Sequence, residues 1–249
     1  MLFRSARVRA IEAPDPYRTI SFGGRAGEVD RALPWGGLPQ GCLHEVTGPA
    51  GDPGAPVGFA AALAARLQKH AAADAQKQIL WCLRADTAAE TGALYAPGLR
   101  SFGLDASRVL AVRAESTAQV LWAMEEGLRS GGLAAVIGEV EANSKGVDVS
   151  ATRRLQLAAE ARGVTALLVV PHASAVTGAV TRWHVSSLGG ERDGSAGLRT
   201  LRASPREPNR TELGPRWQVD LTRCRGGAPA SWELEWDHAS LDFAVAAGL

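Results

Sequence analysis

The chain has 249 residues, of which 46% are hydrophobic and 21% are charged, as in an ordinary globular protein. Its 27 basic and 26 acidic residues nearly cancel, so net charge indicates neither a nucleic acid nor a membrane surface as a partner. Cys42, Cys82 and Cys224 are odd in number and far apart, which argues against a disulfide framework and a zinc site. No apolar run approaches the roughly 18 residues of a membrane-spanning helix, and the charged N-terminus is unlike a secretory signal. We therefore expect a cytoplasmic protein with no bound metal and no membrane partner.

The first 31 residues are polar and interrupted by prolines and by a glycine pair, and we predict that residues 1–31 form an N-terminal arm. Strand-like apolar runs then alternate with helix-like amphipathic runs. The predicted strands cover 42–46, 79–83, 108–114, 133–138 and 164–170, and the predicted helices cover 57–72, 116–130 and 148–162. This alternation is typical of βαβ units, so we predict a mainly parallel sheet flanked by helices.

The composition and the hydrophobic pattern of the sequence change after residue 180. Residues 181–188 read as one more strand, whereas residues 189–214 are rich in Gly, Pro and Arg and are predicted to form a flexible loop. Polar and apolar residues then alternate over 215–225 and 231–237, on either side of a turn. This pattern predicts a C-terminal antiparallel hairpin with one apolar face.

Three tryptophans, Trp217, Trp232 and Trp236, fall on the apolar face of that hairpin. Tryptophan in this position packs into a core or anchors a protein interface, and the sequence leaves both readings open.

The stretch TGPAGDPGAPVG, residues 47–58, lies between a predicted strand and a predicted helix, where a phosphate-binding loop would lie. A Walker A loop needs Lys and Ser or Thr after its second glycine, because these side chains neutralise phosphate and hold Mg²⁺. Neither the register that starts at Gly48 nor the one shifted by one residue supplies them, and Pro53 and Pro56 lack the N–H that a phosphate cradle uses. The loop is therefore either a degenerate nucleotide loop or a plain strand–turn–helix connection, and its residues are Gly48, Pro49, Gly51, Asp52 and Gly54.

Residues 32–49, ALPWGGLPQGCLHEVTGP, resemble the entry to the RecA-like ATPase core. The resemblance implies that residues 32–249 form a single RecA-like domain, an α/β fold of the P-loop NTPase type. It also places relic carboxylates at Glu139, in the Walker B strand, and at Asp86, in rough register with a catalytic glutamate. We rate these carboxylates as remnants rather than a live metal site.

Three further positions follow from the same resemblance. His172 stands near the place of a γ-phosphate sensor, and Arg223 and Arg225 resemble a basic pair that reaches a neighbour's nucleotide. These residues are candidates for contact with nucleotide or with a partner protein.

Several stretches, including LPWGGLPQGCLHEV, TRWHVSSL and the tail from RWQVDLTRCRGG onward, resemble the ImuA family of RecA-related proteins. That family belongs to bacterial damage-inducible mutagenesis cassettes. The resemblance implies a role in SOS-induced translesion synthesis beside an ImuB-like inactive Y-family polymerase and an error-prone polymerase III alpha-type subunit. Together with the defective loop, it predicts a non-catalytic adaptor without a cofactor, ATP and Mg²⁺ being disfavoured.

Two other functions remain open at this point. One is a DNA-dependent ATPase in which Arg66 or Lys69 replaces the loop lysine, although both lie about 15–20 Å along the predicted helix. The other is a modulator of RecA filaments or of cell division, with RecA as the partner. The arginine-rich residues 189–225 could bind single-stranded DNA or a partner, or could form a solvated loop.

Overall fold

A computed structural model describes residues 18–71, 78–85, 94–140, 146–171, 176–188 and 214–246. Its strands are β1 Thr19–Ile20, β2 Leu38–Pro39, β3 Leu43–Thr47, β4 Gln78–Arg84, β5 Val109–Ala114, β6 Leu133–Glu139, β7 Thr165–Val169, β8 Thr181–Ser187, β9 Arg216–Cys224, β10 Ala230–Asp237 and β11 Asp242–Val245. Its helices are α1 Gly27–Ala32, α2 Gly54–His70, α3 Ala96–Ser101, α4 Thr117–Ser130 and α5 Val149–Arg162. None of the helices described here is long and apolar enough to cross a bilayer.

One large sheet has the strand order β11-β10-β9-β8-β3-β7-β6-β4-β5. Every neighbouring pair from β8 to β5 is parallel, whereas β9, β10 and β11 continue the sheet in antiparallel fashion. The prediction of a mainly parallel α/β sheet with a C-terminal antiparallel hairpin is therefore confirmed. β11 is an additional strand that the sequence pattern did not indicate.

The sheet separates two apolar cores. Strands β3 and β7 are buried along their whole length. The sequence of β7 is accordingly almost entirely apolar, whereas β3 also buries His44, which is hydrogen-bonded to Thr181, and Glu45, which is paired with Arg182. Helix α2 packs on one face of the sheet, and α4 and α5 pack side by side on the other.

Helix α4 begins and ends close to where the sequence predicts. The Ser116 hydroxyl accepts a hydrogen bond from the N–H of Gln119 at 3.3 Å, and Gly131, with φ 71°, ends the helix. The pair of Ser116 and Gln119 has the sequence spacing of a capping box, but the return bond to Gln119 Oε1 comes from the N–H of Glu115, at 2.8 Å, instead of from the N–H of Ser116.

The described part of the predicted N-terminal arm, residues 18–31, lies on the α2 side of the sheet. Ile20, Phe22 and Val29 are buried there, in the same core as α2. The Phe243 N–H donates to the carbonyl oxygen of Phe22 at 2.8 Å, so this segment also covers the outer edge of β11. Of the predicted flexible loop, residues 189–213 lie outside the described residues.

Arg66 joins three segments of the chain that are distant in sequence. It extends from α2, and its side chain is only 3% exposed. Its guanidinium donates to the carbonyl oxygens of Ser21 at 2.7 Å and Leu241 at 2.6 Å, and it forms an ion pair with the Asp242 carboxylate. The same arginine therefore holds the N-terminal segment and the β10–β11 turn against α2.

Replacing Arg66 by Met should lower the free energy of unfolding by about 2–4 kcal/mol, because two carbonyls and a carboxylate lose their shared donor. Lys69→Met is the matched control, since its ammonium makes one exposed hydrogen bond, to the Ser240 carbonyl, and should cost under about 1 kcal/mol. Urea unfolding followed by tryptophan fluorescence measures both values. Equal stabilities of the two variants would contradict the role given to Arg66.

Candidate functional site

The loop of residues 48–53 lies at the carboxyl end of β3, near the middle of the sheet. β3 has β7 on one side and β8 on the other, so the chain leaves β3 in one direction and later returns on the opposite side. In open α/β sheets this reversal opens a crevice at the carboxyl ends of the strands, where ligands commonly bind. The fold therefore puts the degenerate loop at the place in the sheet most suited to a ligand.

The loop itself is a tight turn that packs on its own helix. A Cβ added at Gly48 would lie 2.7 Å from the Val185 carbonyl oxygen and 2.9 Å from Cδ of Pro56, so only glycine fits there. The Asp52 N–H donates to the Pro49 carbonyl at 3.0 Å and closes the turn. Gly51 and Gly54 are exposed, and added Cβ atoms there would meet nothing. Pro56, which follows the loop, thus packs against its first residue.

The charge in this turn is negative. A carboxylate oxygen of Asp52 accepts a hydrogen bond of 2.6 Å from the Ser187 N–H, at the end of β8. Helix α2 begins at Gly54 after Pro53, and no side chain caps it. A phosphate group approaching this helix end would meet a fixed carboxylate rather than a lysine.

Two cations that could have replaced the loop lysine are engaged elsewhere. Arg66 is buried in its contacts with the N-terminal segment and the β10–β11 turn, and Lys69 donates to Ser240 at 2.7 Å. Both lie toward the far end of α2 from the loop. The hypothesis that one of them reaches into the loop is therefore wrong.

Glu139 ends β6, two strands from the loop, and is 9% exposed. Its carboxylate accepts a hydrogen bond from the indole N–H of Trp81 on β4. The Trp81 side chain is fully buried. Burial raises the pKa of the Glu139 carboxyl, and the bond from Trp81 lowers it by a smaller amount. Within the described ranges no cluster of three or more His, Cys, Asp or Glu residues could hold a metal ion. Asp86, the other predicted relic carboxylate, lies outside the described residues.

The structure does not bring the predicted basic pair to the loop. β9 runs antiparallel to β8, so Arg223 and Arg225 lie at the opposite edge of the sheet from residues 48–53. Arg225 donates to the Gly178 carbonyl at 3.1 Å and lies 3.9 Å from the Glu160 carboxylate. The pair therefore lies away from this chain's own loop, and its contact with a neighbour's nucleotide or with a partner protein stays a prediction. His172 is outside the described residues.

Two of the three hairpin tryptophans belong to the core, so the interface reading for them is corrected. Trp217 is 3% exposed and Trp236 is fully buried. Trp217 packs edge-on against Phe59 of α2, with ring centroids 6.0 Å apart, and Trp236 packs against Phe243 at 4.9 Å. Trp232 is partly buried beside the same cluster. The apolar face of the hairpin is covered by α2 and by the N-terminal segment.

Sequence reasoning missed the bonds that fix this region. Nothing in the pattern indicates that Asp52 binds the end of β8 or that Trp81 binds Glu139. A weak signal existed for the second pair, since a carboxylate at the end of an apolar strand needs a donor, and Trp81 lies in the middle of a neighbouring apolar run.

ImuA proteins from two strains of Caulobacter vibrioides are each 36% identical to this chain over 236 residues, covering 90% of this chain and 86% of theirs. The chain belongs to the ImuA family. No family model matches the sequence. The similarity extends over nearly the whole of both proteins.

The packing of the loop in this ImuA-family chain is tested by two alanine substitutions. Gly48→Ala should destabilise the protein by about 1–3 kcal/mol, because its methyl group would overlap the Val185 carbonyl and Pro56. Gly51→Ala is the matched control and should change stability by less than about 0.5 kcal/mol, because its methyl group points into open space. Thermal and urea unfolding measure both. A loop that tolerates both changes equally would contradict the close contact at Gly48.

The environment of Glu139 predicts a pH dependence. A carboxyl whose pKa is raised on folding contributes stability at low pH that is lost as the pH rises through the folded pKa. Glu139→Gln keeps an acceptor for the Trp81 indole but cannot ionise, so its stability relative to wild type should rise with pH above about 4.5.

Urea unfolding at a series of pH values measures this difference. Glu139→Leu is the control that removes the acceptor, and it should cost about 1–3 kcal/mol because the indole N–H of Trp81 is left unpaired. If the stabilities of wild type and the Gln variant changed in parallel with pH, the pKa of Glu139 would not be raised on folding.

Proposed function

We propose that this protein is a non-catalytic, RecA-like adaptor in SOS-induced, error-prone translesion DNA synthesis. The observation that carries the proposal is the turn of residues 48–53. It has the position of a phosphate loop but lacks the lysine and hydroxyl, and it holds Asp52 against the Ser187 N–H. The loss of a charge-assisted phosphate contact lowers the binding free energy by an amount on the order of kcal/mol rather than tenths of a kcal/mol. Binding and hydrolysis of a nucleotide at this loop are therefore disfavoured.

The RecA-like part of the proposal is supported by the arrangement of the sheet. The strand before the loop is central, the helix after it is buried, and Glu139 ends a strand two places away. This is the arrangement expected of a RecA-like core in which Glu139 stands where a metal-linked aspartate would lie. The carboxylate is bonded to Trp81, which fits a structural role better than metal binding.

Membership of the ImuA family supports the cellular role. We infer involvement in damage-inducible mutagenesis, in the cytoplasm, without a cofactor. In this role the protein assembles an ImuB-like inactive Y-family polymerase with an error-prone polymerase III alpha-type subunit. Its function is then to bring these two proteins together rather than to turn over a substrate.

The proposal predicts no binding of Mg-ATP but retained assembly of the polymerase complex. Calorimetric titration of the purified protein with Mg-ATP should give no heat of binding up to about 1 mM nucleotide. In the same preparation, the ImuB-like protein and the alpha-type subunit should co-elute in gel filtration only when this chain is present.

Two results would contradict it separately. Micromolar ATP affinity, or ATP turnover that single-stranded DNA stimulates, would show that the loop is functional. Co-elution of the two polymerase proteins without this chain would contradict the adaptor role, but it would not affect the conclusion about ATP binding.

A further inference from the structure

The two edges of the large sheet differ in how the chain covers them. At one edge, the Phe243 N–H of β11 donates to the carbonyl oxygen of Phe22, and the N-terminal segment contacts this strand. At the other edge, β5 pairs with β4 on its inner side, and no residue of the described ranges pairs with its outer side. Backbone N–H and C=O groups on that outer side can therefore bind a further strand.

β5 has few of the features that protect an exposed edge from pairing. Its six residues, Val109–Ala114, include no proline, and they pair with β4 in one unbroken register without a bulge. Five of the six are apolar, and Arg113 is the one charged residue. β11, at the protected edge, has only four residues. Among the described strands, β5 is thus the one that is open to strand addition.

The side chains of β5 alternate between the two faces of the sheet. Leu110 and Val112 lie on the face covered by α4, where Val112 packs against the core and Leu110 is 44% exposed. Ala111 and Arg113 lie on the opposite face, and both are exposed. A strand added to β5 would therefore cover Leu110, the large exposed apolar group of this edge.

A second copy of β5 fits this edge when the two strands run antiparallel. About a two-fold axis through Ala111, this residue lies opposite itself, and Leu110 of each copy lies opposite Val112 of the other. Directly opposed side chains in such a pair lie on the same face of the sheet. The leucines and valines of both copies then form one apolar cluster beside α4, so that Leu110 is no longer exposed.

The position of Arg113 favours this register over the alternatives. With Ala111 at the centre, Arg113 lies opposite Val109 of the second copy, and the two Arg113 residues are about 14 Å apart along the strands. With Val112 at the centre, the two arginines would be diagonal neighbours at about 7–8 Å, which like charges disfavour. Registers centred on other residues pair half of the strand or less, and those centred between two residues oppose side chains from different faces.

The charges that flank β5 do not oppose the pairing. Arg108 would lie opposite Ala114 of the second copy, and it is ion-paired to Asp105 of its own copy at 3.0 Å. Glu115 would lie opposite Ser107 of the second copy. Neither position brings two like charges face to face across the strands.

We propose that the outer edge of β5 is a self-association surface, at which two copies of this chain pair their β5 strands in antiparallel fashion about Ala111. The nine-stranded sheet of each copy then continues into that of the other. One strand pair buries less than the roughly 1,200–2,000 Å² of a standard interface, so we expect a weak dimer with a Kd of about 10–500 µM. The proposal goes beyond the adaptor function and does not rest on it, since no polymerase is needed to test it.

Cysteine cross-linking tests the register. Ala111→Cys places the two thiols at the axis, where the Cα atoms are about 4.5–5.5 Å apart and a disulfide can bridge them. Arg113→Cys is the matched control, because it lies on the same face but its two copies are about 14 Å apart. Both changes are made with Cys224→Ser, since Cys42 and Cys82 are buried. Under mild oxidation, a non-reducing gel should show a covalent dimer for the first variant and a monomer for the second.

Sedimentation velocity tests the association without a cross-link. Wild type should shift from monomer toward dimer between about 5 and 500 µM, and Leu110→Lys should stay monomeric because a charge replaces the covered leucine. Leu157→Lys is the matched control, since Leu157 on α5 is also an exposed leucine, at 62%, and α5 packs on β3 and β7 instead of β5. It should associate like wild type, and thermal unfolding of both variants checks that they are folded.

Three results would overturn the proposal. A wild-type protein that stays monomeric up to about 500 µM would leave this edge to a strand of another protein. A dimer that both lysine variants weaken equally, or that neither weakens, would place the contact elsewhere. Equal cross-linking of the two cysteine variants, or none with Ala111→Cys, would show that the strands do not meet at Ala111.

Discussion

The burial of α2 is the constraint on which the rest of this structure depends. The helix lies on the parallel strands, and its other side is closed by residues 18–33 and the C-terminal strands. The ring centroid of Phe59, in the second turn of α2, lies 5.4 Å from that of Phe243 and 6.0 Å from those of Trp183 and Trp217. Alanines between the larger residues let the covering segments come close on both sides. Since three distant parts of the sequence meet on α2, none of them can pack correctly unless the helix is in place.

This constraint also explains the shape of the loop before α2. A phosphate cradle needs a loop that stands open and directs its N–H groups inward. Here Pro56 packs on Gly48 in the first turn of the helix, and Asp52 is bonded to the end of β8. The turn is thus closed by contacts within the chain and needs no ligand for its shape. Glu139 likewise needs no ligand, because its buried carboxylate accepts a hydrogen bond from the Trp81 indole and is satisfied without a metal ion.

Much of the sheet could be predicted because its strands and helices are long and strongly patterned. Continuous apolar runs marked β4, β6 and β7, and capping residues marked α4 to within one residue. β11 was missed because a strand of four residues, Asp242–Val245, has too little pattern to stand out. Trp217 and Trp236 remained ambiguous since alternation shows which face they share but not whether another element covers it. The contacts of Arg66 could not be predicted for a related reason, because Ser21, Leu241 and Asp242 are far from it in sequence.

The separation of the two cores bears on how such a protein can bind partners. The core around α2 and the core around α4 and α5 lie on opposite faces of one sheet. The loop of residues 48–53 leads into α2, whereas Trp122 and Leu157 lie on the outer side of the opposite layer. The sheet therefore lies between the Arg66 contacts and the outer side of α4 and α5, and a contact made on one of these layers would not touch the other.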